Sequence, residues 1–341
     1  MRASLVLVLG AVLALAGCGG SRDAEEALSG RERLWVRNYT AWTVRTARAA
    51  GGAEEVRQRM LGGDDTARAD YDRAVAPIRE CRTRFDRVGP APTKRLQAVQ
   101  TLALEACADF QRWVRAESRA FDGPPGDLLL ESEAAIARGN RVWLEAERKL
   151  ESVFAWNRPL PVRTGEVGAS RIEPRFGRVA SMLANRSVQV RCWSAADWDD
   201  VHDEWQAYTD DDHDAIGFVA SFDRGRLSLA PDICDLLAGL AYGGARPHGG
   251  EQRRDLAEAV ETLGHEAEHL VSPGTEAATE CYGMQDIRRT AGLLGADRAY
   301  ANGLAELYWR EIYPAKPEAY TTPLCQDGGP LDRNPASSVW P

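Results

Sequence analysis

The sequence predicts a mostly helical α+β chain, with an N-terminal helical bundle followed by a smaller mixed domain, and three observations lead there. Residues 31–156 read as almost continuous helix, rich in Ala, Arg, Glu and Leu and broken only at glycine and proline clusters. Two short segments follow, 187–193 and 217–229, the first alternating with the period of two that marks a strand and the second turning at Asp223-Arg224-Gly225 like a hairpin. Helical spacing then resumes around 232–241, 252–271, 275–294 and 297–312, and strands placed ahead of successive helices give an α+β order.

The N-terminus sets the location. After Arg2 comes an apolar run over residues 5–14 that closes in Leu15-Ala16-Gly17-Cys18. This is the core of an export signal, too short for a transmembrane helix. Its end resembles the lipobox of bacterial lipoproteins, which implies a lipid on Cys18 as the new N-terminus. The expected organisation is a signal peptide over 1–17, a lipid anchor and tether over 18–30, a helical bundle over 31–156, a linker over 157–180 and a second domain over 181–341. The protein is then expected on the cell membrane, facing the extracytoplasmic side.

Within the bundle, breaks are expected at Gly51-Gly52, Gly62-Gly63-Asp64, Gly89-Pro90-Ala91-Pro92 and Gly123-Pro124-Pro125-Gly126. The stretches 66–88, 93–121 and 127–156 between them are long enough for antiparallel helices. Trp35, Trp42, Trp113 and Trp143 read as core rather than as ligand platforms. Cysteine arithmetic agrees with export: setting aside Cys18 leaves Cys81, Cys107, Cys192, Cys234, Cys281 and Cys325, an even set that reads as disulfides. Cys81 and Cys107 are expected to staple two helices across the turn near residue 90, with the other four pairing among themselves. The net charge of −9, without a basic cluster or interleaved aromatics, argues against nucleic-acid binding. Acidic residues between 197 and 214 have no EF-hand spacing and read as solvated loop.

The chemistry lies in Leu263-Gly264-His265-Glu266-Ala267-Glu268-His269. Residues four apart project from one helix face, so His265 and His269 can grip one zinc ion while Glu266 lies beside it as a base. Proline is absent from 252 to 271, and Leu256, Val260, Leu263, Ala267 and Leu270 repeat at helical spacing. They cover nearly the opposite face from the two histidines, so the helix can bury its aliphatic stripe and aim both imidazoles into a cleft. Zinc needs a third protein ligand. Ser272-Pro273-Gly274 ends this helix, Thr275 is a plausible N-cap for the next, and Glu276 and Glu280 share a face there. Cys281 is rotated away from that face and reads as structural.

HExxH followed by Glu-x-x-x-Glu resembles the gluzincin branch of the zincin metallopeptidases. The resemblance covers about residues 255–290 and implies that His265, His269 and Glu276 bind zinc, that Glu266 is the general base, and that Glu280 hydrogen-bonds a ligating histidine. Such a carboxylate fixes the imidazole tautomer. The gap from His269 to Glu276 is shorter than in most gluzincins and closer to that of metzincins, whose glycine and third histidine are replaced by Ser272 and Thr275. The expected activity is zinc-dependent hydrolysis of a peptide or protein substrate. Tyr282, Tyr300 and Tyr308 are oxyanion candidates by location. The competing expectation is a non-catalytic zinc-binding envelope lipoprotein, against which the intact Glu266 argues.

Overall fold

A computed structural model describes residues 27–61, 64–122, 127–209, 215–220, 225–271, 274–337 and 339–341. The signal run, Cys18, the turn residues Asp223 and Arg224, Ser272-Pro273 and most of the acidic loop lie outside them. The chain is mostly helical α+β and divides into two compact units, Arg22–Arg158 with Asp200–His213, and Pro159–Asp199 with Asp214–Pro341.

The first unit is built on α1 (Gly30–Leu61), α2 (Arg68–Arg79), α3 (Cys81–Phe85), α4 (Lys94–Phe121) and α5 (Leu128–Glu151). Trp35, Val36, Tyr39 and Trp42 lie on one face of α1 and are buried; Trp42 meets the edge of Phe85 at 4.9 Å and stacks on Trp143 at 5.4 Å. The helix runs straight through Gly51-Gly52, where a break was expected. Glycine weakens a helix interior by roughly 1 kcal/mol relative to alanine without forbidding it, and the buried Ala53 that follows is held in the core with Tyr71, Phe110 and Trp113. Cys81 and Cys107 are paired, with Cα atoms 5.8 Å apart. Residues 200–213 join this unit because Glu204 is buried and accepts from the backbone N–H groups of Leu28 and Ala155. Burial pushes its carboxyl up to about 7, the two N–H donors only partly opposing it.

The second unit opens inside the span whose composition reads as linker. Pro161 and Ile172 hydrogen-bond, β1 is Arg171–Ile172, and α6 (Pro174–Ala184) starts with Glu173 as N-cap and Pro174 in the first turn. Residues 157–180 are therefore part linker and part folded domain; proline and glycine there mark a helix start as well as turns. Then come β2 (Gln189–Cys192), α7 (Ala195–Thr209, whose residues from Asp200 onward belong to the first unit), β3 (Gly217–Phe218) and β4 (Arg226–Leu229). The sheet order is β1-β2-β4-β3, with β2 and β4 parallel and the outer pairs antiparallel. Val190 faces Leu227 and Cys192 faces Leu229 in register, and these buried side chains pack on the helices that follow.

Those helices are α8 (Pro231–Ala241), α9 (Glu251–His269), α10 (Glu276–Leu294) and α11 (Arg298–Leu307), the last widening into a π-helical turn at Tyr308–Ile312. Leu256, Val260, Leu263, Ala267 and Leu270 are buried together as their spacing implies. The opposite face of α9 is buried as well: Glu261, His265, Glu266 and Glu268 are nearly inaccessible. The helix is thus central rather than half-solvated, and its polar face meets α10 and the C-terminal tail. Cys192 pairs with Cys234 and Cys281 with Cys325; a bridge closing a loop of this length stabilises by about 3–4 kcal/mol. No described helix is long and apolar enough to cross a membrane.

Candidate metal centre

Two consecutive helices supply the donors. Thr275 caps α10, its Oγ1 accepting from Ala278 N at 3.3 Å, which orders the first turn and sets Glu276 at the end nearest α9. The helices cross closely because glycines face each other: a Cβ on Gly264 would lie 3.3 Å from Gly283 O, and one on Gly283 2.9 Å from His265 N.

The result is a compact triangle. His265 Nε2 and His269 Nε2 are 3.0 Å apart, and Glu276 Oε2 lies 3.2 Å from the first and 3.3 Å from the second. Tetrahedral ligands about 2.0–2.1 Å from a zinc-sized ion stand about 3.3 Å apart, so these donor atoms already have the spacing such an ion requires. The His265 side chain is 7% exposed, that of His269 23% and that of Glu276 44%, so the triangle opens to solvent on the Glu276 side. There a fourth ligand can approach. The three residues fit a small divalent metal ion.

On the far side of His265, Nδ1 lies 3.1 Å from Glu280 Oε2 and 3.6 Å from Glu261 Oε1. Tyr308 donates to Glu280 from the π-helical turn. Glu266 is buried beside the triangle, and burial raises its carboxyl above the usual range, with the charge of His269 the largest opposing influence. The edge strand β3 touches it: a Cβ on Gly217 would stand 3.1 Å from Glu266 Cγ. Burial disfavours charge on His265, yet its contacts with Glu261, Glu276 and Glu280 outweigh that and hold it well above the ordinary imidazole value. Likewise Glu276, though partly buried, is held far below the carboxylate range by the two imidazoles. In Glu261 burial, followed by the charge of Glu280, pushes the carboxyl up to about 7.

The structure thus brings together His265, His269, Glu276, Glu280 and Glu266. It sets Tyr282, Tyr300 and Tyr308 to other tasks: Tyr300 donates to Pro247 O at 2.7 Å, Tyr308 serves Glu280, and Tyr282 lies under Arg333 at 4.3 Å. Four neighbours escaped the sequence reading. Glu261 sits one turn before His265, a helical spacing that was visible. Tyr320 has its ring 6.1 Å from that of His265, and Lys316 bonds Glu258 at 2.6 Å; both come from the tail, where no periodicity signals position. Arg333, also in the tail, pairs with Glu268 and Asp286.

Comparison with known proteins finds no matching family model, no matching curated protein and no matching solved structure. The functional reading accordingly rests on the residues themselves.

Proposed function

We propose that this protein is an extracytoplasmic zinc-dependent peptidase, anchored to the cell membrane through a lipid on Cys18. The observation that supports it most is the pre-spaced triangle of His265, His269 and Glu276, open on one side, with the buried Glu266 carboxylate alongside. A structural zinc site is normally closed by four protein ligands, whereas this set offers three. When bound there, zinc supplies Lewis-acid polarisation of a carbonyl and acidifies a water molecule. Glu266 accepts the proton of the attacking water and returns it to the departing amine, and its raised proton affinity suits that exchange. The edge strand β3, antiparallel to β4, borders Glu266 through Gly217.

The test is zinc content together with cleavage of a broad peptide library, before and after chelation. Glu266→Gln is expected to keep zinc and lose about 10²–10⁴-fold in hydrolysis, since the ligands stay while the base is gone. A wild-type protein that binds zinc and cleaves nothing in that library is instead a zinc-binding envelope lipoprotein. Intact-mass analysis tests the anchor: Cys18 without added lipid refutes it.

A further inference from the structure

Glu258, Glu261 and His265 stand in one row of α9, three and four residues apart. His265 Nδ1 faces two carboxylates, Glu280 at 3.1 Å and Glu261 at 3.6 Å, and one ligand atom from each of the three residues lies within 4.8 Å of the others. All three side chains are more than nine-tenths buried. Among the described residues neither Glu261 Oε1 nor His265 Nδ1 meets the geometry of a hydrogen bond with any partner. The bare backbone of Gly283 makes room for it, since a Cβ there would come within 2.5 Å of that oxygen. Two acids are therefore packed around one imidazole nitrogen, where a single carboxylate would suffice to orient the ring.

We propose that Glu261 is a second positioning residue for His265, sharing Nδ1–H with Glu280 and holding Nε2 towards the metal. This deepens the metal-site reading above and rests on it. Holding Nδ1–H between two carboxylates leaves Nε2, which faces His269 Nε2 and Glu276 Oε2, as the nitrogen that gives up its own proton to bind metal, and the paired negative charges raise the ring's basicity as a ligand. Their mutual repulsion is moderated from two sides. Tyr308 donates to Glu280, and Lys316, bonded to Glu258 one turn before Glu261, brings a cation over the Tyr308 ring at 6.0 Å. A metal ion on the Nε2 side of His265 would complete the compensation, so this arrangement trades stability of the metal-free protein for affinity.

That trade has a sign that simple packing lacks. Glu261→Gln keeps the shape and removes the charge. In the full chain it is expected to weaken zinc binding about 10–100-fold, the usual effect of losing an outer-sphere partner, while raising the metal-free Tm because one of two facing carboxylates is gone. The measurements are zinc titration against a chromophoric chelator and thermal unfolding without metal. Unchanged zinc affinity overturns the inference, and so does weaker binding accompanied by a lowered metal-free Tm, which is loss of packing. If the wild type itself binds no zinc, the metal-site reading falls too; wild-type binding with an indifferent variant removes the role of Glu261 alone.

Discussion

A methyl group on Gly283 tests whether the close crossing of α9 and α10 sets the geometry of the metal site. Its Cβ would meet His265 N at 2.9 Å, His265 Cα at 3.0 Å and Glu261 Oε1 at 2.5 Å, whereas ordinary contact begins at 3.4 Å. The carboxylate can swing aside, but the backbone of α9 cannot, so Gly283→Ala must part the helices by about 0.5 Å, beyond the ~0.2 Å within which metal–donor distances hold. Overpacking of this kind costs about 1–3 kcal/mol. Without metal the helices relax apart; with metal they must be drawn back. Zinc binding is then expected to weaken by about 5–150-fold, the same energy expressed as affinity, with a fall in Tm of roughly 2–12 °C for a unit of this size. Gly292→Ala is the control, being in the same helix with nothing within 4 Å of its Cβ; it is expected to be neutral or stabilising by up to ~1 kcal/mol. Chelator competition and thermal scans on both variants decide. If Gly283→Ala binds zinc like the wild type and melts like Gly292→Ala, the crossing does not constrain the site.

Removing the two acids of α10 should have unequal effects. Glu276→Ala is expected to weaken zinc binding by ~10²-fold or more, because it removes one of only three protein ligands, while Glu280→Ala weakens it about 10–100-fold; a zinc titration giving the reverse order would falsify the ligand assignment. The helical unit should lose stability in acid through Glu32, whose Oε1 accepts from Thr93 at 2.8 Å and pairs with Arg95 at 2.8 Å. Burial opposes its charge, but the bonds from Arg95, Ser29 and Thr93 prevail and hold it at about 2 against an ordinary 4.5. A depressed acid stabilises fully above the unfolded value and loses its effect as pH falls through the folded one. Denaturant unfolding of Glu32→Gln should therefore differ from wild type at neutral pH and converge with it between pH 4.5 and about 2; a constant difference across that window refutes the linkage.

Local pattern carried much of this protein. The period of 3.6 residues in Leu256, Val260, Leu263 and Ala267 marks α9 and places His265 and His269 together, because a helix converts sequence spacing into direction. Thr275 as N-cap and the pairing of Cys81 with Cys107 are equally local, a side chain meeting its own backbone and two helices joined by one turn. Gly51-Gly52 misleads by the same logic: propensity costs about 1 kcal/mol per glycine, and burial of Ala53, Trp42 and Tyr39 outweighs it.

Tertiary structure decided what lies far apart along the chain. The pairing of Cys192 with Cys234 and of Cys281 with Cys325 depends on how sheet and helices stack. So does Glu204 binding the N–H groups of Leu28 and Ala155. Nothing in the tail sequence announces that Tyr320 approaches His265, or that Lys316 joins Glu258. The HExxH residues specify a helix face, but whether that face opens to water or closes on buried acids depends on its neighbours. Here Gly283 lets α10 approach until Glu276 and Glu280 take opposite sides of one imidazole. Periodicity encodes direction within an element; only packing fixes the distance between elements, and a metal site depends on that distance to a few tenths of an ångström.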